Sequence, residues 1–120
     1  MMGLLFGKGN MENNTYIEIE CKDGNRIKLT LAFYRMYQLK NKNKQIYEKC
    51  NKILTKGSED ILDNIQILYA AYLCANIETM DKCMAYEEFL QNIPDDWNMV
   101  GKIAKQLVGV KKKKDLEKHF

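Results

Sequence analysis

The sequence predicts an α+β domain: an N-terminal β-hairpin packed against a small bundle of about four to five α-helices. Three observations carry that prediction. Residues 17–31 alternate apolar and polar side chains on either side of an Asp23-Gly24 turn signal. From residue 32 onward, apolar side chains recur every three or four positions in segments punctuated by Asn, Gly and Pro. Residues 57–76 begin polar and acidic and end with almost no polar face, a pattern that belongs at the centre of a small domain.

In the first strand Ile17, Ile19 and Cys21 alternate with Glu18 and Glu20; in the second, Ile27, Leu29 and Leu31 alternate with Lys28 and Thr30. One face is apolar, and the other sets glutamates against Arg26 and Lys28, a favourable cross-strand arrangement. A lone hairpin is marginal in water, so helices must cover it.

A short helix is predicted over residues 32–40, turning Phe33, Met36, Tyr37 and Leu39 inward, with a break at Asn41-Lys42-Asn43. A second runs over about residues 44–56. Its Ile46, Cys50, Ile53 and Leu54 lie at helical spacing beside Tyr47, Glu48 and Lys52 form an i,i+4 pair, and Gly57 ends it. Ser58 is placed to cap the central helix, where Glu59, Asp60 and Asp63 suit the positive N-terminal end and Asn76 suits the exit. A fourth helix, about residues 84–93, is anchored by Phe89, Leu90 and Ile93 and stopped by Pro94. Asp95 or Asp96 can cap a last helix carrying Trp97, Val100, Ile103, Ala104, Leu107 and Val108 on one face.

The 120 residues suit one domain, and 46% apolar with 29% charged residues is a globular balance rather than a disordered one. The domain is placed at residues 15–110, after a Gly- and Asn-rich leader at 1–14 and before a basic tail at 111–120, expected to be mobile because the apolar period stops. The longest nearly unbroken apolar stretch, residues 65–75, is short for a membrane span. The start lacks the charge and apolar length of a secretory signal, and Met2 stands where myristoylation needs glycine, so a cytoplasmic chain is expected.

The tail carries five lysines against Asp115 and Glu117, and the remaining chain is neutral, which argues against a DNA-binding domain. The lysines at 40, 42, 44, 49, 52 and 56 read as a solvated surface rather than an RNA-binding stripe, and the tyrosines at 34, 37, 47, 69, 72 and 86 as core rather than a stacking platform.

No catalytic, cofactor or metal site is expected. The only imidazole is His119, next to the last residue, which leaves no Ser-His or Cys-His pair positioned by a fold. Cys21, Cys50, Cys74 and Cys83 form no C-x-x-C pair and read as reduced, mostly buried thiols. Glycines 3, 7 and 9 fit no phosphate-binding loop. The acidic clusters Glu59/Asp60/Asp63, Glu87/Glu88 and Asp95/Asp96 each fall near a predicted helix start, where carboxylates belong on electrostatic grounds. No enzyme is predicted.

Leu29-Thr30-Leu31-Ala32-Phe33-Tyr34-Arg35 is followed by a lysine-rich helix and by Ile67-Leu68-Tyr69-Ala70-Ala71-Tyr72-Leu73-Cys74-Ala75-Asn76. Tyr86-Glu87-Glu88-Phe89-Leu90 and a final helix come next. In this order, over about residues 15–108, the chain resembles the tail assembly chaperones of long-tailed bacteriophages, in particular those of phages and prophages of low-GC Gram-positive bacteria. The resemblance implies a small α+β fold and a non-catalytic role in the bacterial host cytoplasm. The implied partner is the long, apolar, helical tape measure protein, kept in solution until tail tube protein polymerises around it. Self-association is also implied to be open to such a chain, and an exposed hairpin edge could support it. The alternatives are a structural or adaptor protein of the phage tail, and a small nucleic-acid-binding regulator using the lysine-rich helix and tail.

Many such chaperones resemble one another in having a longer form made by ribosomal frameshifting. Seventeen lysines against two arginines, with eleven asparagines and eleven isoleucines, point to an A/T-rich gene. The lysines at 111–114 would then lie on an adenine run where slippage could occur. Guanine-interrupted codons followed by an immediate stop in the shifted frame would remove that expectation.

Overall fold

The structure, a computed structural model, describes residues 16–119, with backbone alone from residue 110. It is α+β. Strands β1 (Ile17–Glu20) and β2 (Arg26–Leu29) are followed by helices α1 (Phe33–Lys42), α2 (Lys44–Lys56) and α3 (Ile61–Ala75), a 3-10 segment (Ile77–Lys82), α4 (Tyr86–Asn92) and α5 (Trp97–His119). The leader at 1–14 lies outside the described residues.

The strands pair antiparallel, with Ile17 opposite Leu29 and Ile19 opposite Ile27. Ile19 and Leu29 are buried on the apolar face. On the other face Arg26 reaches Glu18 at 3.1 Å and Glu20 at 3.9 Å, the cross-strand pairing expected from the alternation. Gly24 takes φ +89°, which an L side chain rarely adopts, and Asp23 accepts from the Asn25 N–H at 3.0 Å to close the turn.

α3 is the hub. Every other helix packs on it, as do β2 and the 3-10 segment. Residues 66–74 are buried one after another, all around the helix, which is why this stretch has no polar face. Its N-cap is Asp60, whose carboxylate accepts from the Asp63 N–H at 3.0 Å, while Asp63 accepts from the Glu59 N–H at 2.8 Å. Ser58, expected to be the cap, instead donates to Asn64 Oδ1 at 2.6 Å. The reason is the turn at Gly57, φ +95°, which ends α2 and spends residues 57–60 before helical geometry resumes at Ile61.

Tertiary hydrogen bonds tie the hairpin down at both ends. The Thr30 N–H donates to the Ala71 carbonyl at 3.1 Å, joining the end of β2 to the middle of α3. At the turn, the Lys22 N–H donates to the Asn92 carbonyl at 2.7 Å, the Asp23 N–H to Asn92 Oδ1 at 3.2 Å, and Lys22 pairs with Asp95 at 2.7 Å.

α4 and the preceding segment are held by aromatic packing. Phe89 is fully buried between Tyr69 and Tyr72, with ring centroids at 5.2 and 5.3 Å. The two phenols clamp one residue: Tyr69 OH donates to the Met84 carbonyl and Tyr72 OH accepts from the Met84 N–H, both at 2.9 Å. Burial pushes the Tyr72 phenol up to about 12, against the opposing effect of the Met84 N–H; Tyr69 and Tyr86 are raised too, mainly by burial. A phenol raised by folding stabilises the fold while neutral. That contribution is complete below the unfolded value of about 10 and is lost as pH rises toward the folded value. Urea unfolding is therefore expected to show stability falling between about pH 9 and 12 as Tyr72 ionises in the unfolded chain first, a component missing from the pH slope of Tyr72→Phe. Identical slopes in the two chains would remove this account.

α5 is capped by Asp96, whose carboxylate accepts from the Met99 N–H at 3.0 Å. Val100, Ile103, Ala104 and Leu107 are buried against the core as their spacing predicts. Trp97, expected on the same face, is 71% exposed, because it stands in the first turn where no neighbouring element covers it. The α5 backbone continues to His119, past the boundary placed at residue 110. Loss of the apolar period removes a buried face but supplies no breaker, and lysine, leucine and glutamate are good helix formers.

Candidate functional site

The sequence-derived candidates for chemistry sort first. Asp60 and Asp63 are occupied at the start of α3, and Asp96 caps α5. Asp95 pairs with Lys22, and Glu87 and Glu88 are exposed in the first turn of α4. Among the described residues no three His, Cys, Asp or Glu side chains gather where they could hold a metal ion. Cys21, Cys50 and Cys74 are buried and Cys83 half-buried, all as thiols; burial pushes Cys21 and Cys83 up, away from the reactive thiolate. The lysines at 40, 42, 44, 49, 52 and 56 are exposed, as read from the sequence.

The tyrosines divide. Tyr69 and Tyr72 are core and Tyr47 and Tyr86 half-buried, but Tyr34 is 69% and Tyr37 61% exposed, with Phe33 at 71%. Phe33 and Tyr37 were expected inward, and Tyr34 among the core tyrosines. The correction comes from the rotation of α1. Arg35 donates to the Cys74 carbonyl at 3.3 Å and to Glu78 at 3.1 Å, and Lys42 donates to the Ile77 carbonyl at 3.2 Å. These bonds satisfy carbonyls at and just beyond the α3 C-terminus, where acceptors are otherwise unpaired and the helix end is negative. With Met36 and Leu39 buried beside them, positions 35, 36, 39 and 42 form the arc facing α3. Positions 34 and 37 fall on the opposite side, and 33 and 40 on the flank toward α2.

What results is a groove between α1 and α2. Phe33, Met36, Tyr37, Lys40, Tyr47, Asn51 and Leu54 line a half-open volume of about 420 Å³. Tyr34 and Tyr37 stack at 6.1 Å and 25° along its outer border, and the Lys40 ammonium lies 5.5 Å above the Tyr47 ring. Of the five large hydrophobic side chains exposed among the described residues, three belong to α1. Such clustering, unlike single exposed apolar residues, makes this face the candidate interaction surface among the described residues. Asn43 separates α1 from α2, and its side chain caps α2 by accepting from the Ile46 N–H at 3.3 Å. The sequence signal was present as surplus: residues 33–39 contain more large apolar side chains than one helical face can bury.

The fold and groove together define a non-enclosed, aromatic-walled helical hairpin on an α+β scaffold. The chain matches no protein-family model, no curated protein and no solved structure.

Proposed function

We propose that the chain is a non-catalytic tail assembly chaperone of a phage or prophage, acting in the bacterial host cytoplasm by holding an apolar helical segment of the tape measure protein until the tail tube forms. The observation that supports this reading best is the aromatic groove between α1 and α2. An amphipathic helix laid into such a groove buries its apolar stripe against tyrosine, methionine and leucine. The resemblance of residues 15–108 suggests the family, and the groove is a surface that such a role would use.

The mechanism is mass action. A long helix with an exposed apolar stripe partitions between chaperone-bound, free and self-associated forms, and a binder at 100 times its Kd lowers the bound form by about 2.7 kcal/mol. Asp60, Asp63 and Asp96 are engaged at helix starts and Asp95 pairs with Lys22, while Glu87 and Glu88 stand exposed in the first turn of α4; no bond-making step is assigned to any of them. No helix among the described residues is long and apolar enough to cross a membrane.

Co-expression with the tape measure protein of the same phage or prophage tests the reading. The partner's share in the high-speed supernatant is expected to rise several-fold over expression alone, and purified tails are expected to lack the chain. An unchanged supernatant share overturns the proposal. Stoichiometric recovery in purified tails favours a structural or adaptor role instead.

A further inference from the structure

We propose that the helical segment seated in the α1–α2 groove carries carboxylates along the borders of its apolar stripe. The inference rests on the groove being a partner-binding site and adds which partner chemistry it selects.

Charge on this molecule is divided in space. Residues 33–56, the two helices of the groove, carry seven basic side chains against Glu48 alone, whereas the rest of residues 1–110 carries seven basic and thirteen acidic ones. Arg35 and Lys42 are turned onto carbonyls of the chain's own core. Lys40, Lys44, Lys49, Lys52 and Lys56 remain exposed on the hairpin. Lys40 forms part of the groove wall. Lys44 stands one helical turn before Tyr47, on the same side of α2, and shares its charge with Glu48 at 3.9 Å. An incoming helix flanked by lysines meets like charge on the groove wall; one flanked by glutamates or aspartates is drawn in and oriented.

Nucleic acid is also negative, but the groove suits it less well. Tyr34 and Tyr37 stack on each other and Lys40 covers Tyr47, so these rings offer bases fewer open faces, while Met36 and Leu54 give the groove an aliphatic lining. Apolar lining with a basic border fits an amphipathic acidic helix.

The test uses the full chain and two fluorescent helical peptides of about 20 residues with one leucine-phenylalanine stripe, its borders glutamate in one and lysine in the other. A single-stranded RNA of similar length is the third probe. The glutamate-bordered peptide is expected to bind about tenfold tighter than the lysine-bordered one at low salt, the gap narrowing as salt rises. The double reversal Lys40→Glu with Lys44→Glu is expected to invert the preference in a chain that still unfolds cooperatively, its thermal midpoint lowered by the loss of the Lys40–Tyr47 and Lys44–Glu48 contacts. Equal binding of both peptides overturns the charge rule and leaves the groove reading intact. Binding of neither, with no rescue of the tape measure protein, removes the groove reading itself. RNA binding tighter than either peptide and lost in the double reversal makes the surface a nucleic-acid site. Self-association lost in the double reversal makes a second copy the occupant. Either of these last two results overturns the proposal, and the comparison on the unaltered chain decides even if the reversal variant does not fold.

Discussion

Phe89→Ala is expected to cost about 3–5 kcal/mol in urea unfolding, the range for removing a large aromatic from a packed interior. For a domain whose total stability is about 5–15 kcal/mol, that is a large fraction. Phe89 is fully buried and touches two rings of the hub helix, Tyr69 at 59° and Tyr72 at 26°, so the loss includes aromatic pairing as well as buried area. α4 has only seven residues, which makes its docking depend on this anchor and on the buried Ile93. The effect should also travel. Asn92, at the end of α4, accepts from the Lys22 and Asp23 N–H groups of the hairpin turn. Amide exchange at residues 22 and 23 is therefore expected to quicken more than exchange in α2, which does not share this tether. A loss below about 1 kcal/mol, or exchange that quickens equally everywhere, would refute this account of how α4 holds the hairpin.

Tyr37→Asp should do the opposite: leave the fold in place and abolish function. The side chain is 61% exposed and its ring stacks on Tyr34, so the stability loss is expected to stay at about 1 kcal/mol. A tyrosine at the centre of a binding surface, by contrast, commonly carries 2 kcal/mol or more of affinity, at least about 30-fold in Kd. An aspartate there also sets a carboxylate against the acidic-bordered helix proposed as occupant. Co-expressed tape measure protein is expected to return to the pellet with this variant. Leu62→Asp is the control, since Leu62 is 55% exposed on α3 and takes no part in lining the groove. Should both variants rescue the partner equally, the groove is not the site. Should both fail, the effect is one of surface charge in general and not of Tyr37.

Much of the fold was legible because it is local. The hairpin follows from an alternating pattern around Asp23-Gly24, and a one-residue slip would have turned Ile19 and Leu29 to water. The end of α2 at Gly57 follows from its positive φ. The helix caps were partly legible: Asp96 was one of two candidates and does the capping, whereas Ser58 and Asp60 both suit an N-cap and the length of the turn chose between them. The i,i+4 ion pair seen along α2 joins Glu48 to Lys44, whereas the sequence reading paired Glu48 with Lys52, one turn the other way.

The groove was not legible in that way. Phe33, Tyr34, Met36, Tyr37 and Leu39 offer a ten-residue helix two overlapping apolar stripes, and a period of 3.6 cannot choose between them. The sequence alone determined that α1 would be a helix and that the apolar stretch at residues 65–75 would be central to the domain, because periodicity and turn chemistry act between residues close in the chain. Which stripe α1 shows to solvent was decided only in three dimensions. Arg35 and Lys42 bond carbonyls 35 to 39 residues away, at the end of α3, and the energy of satisfying those groups turns the aromatic side outward.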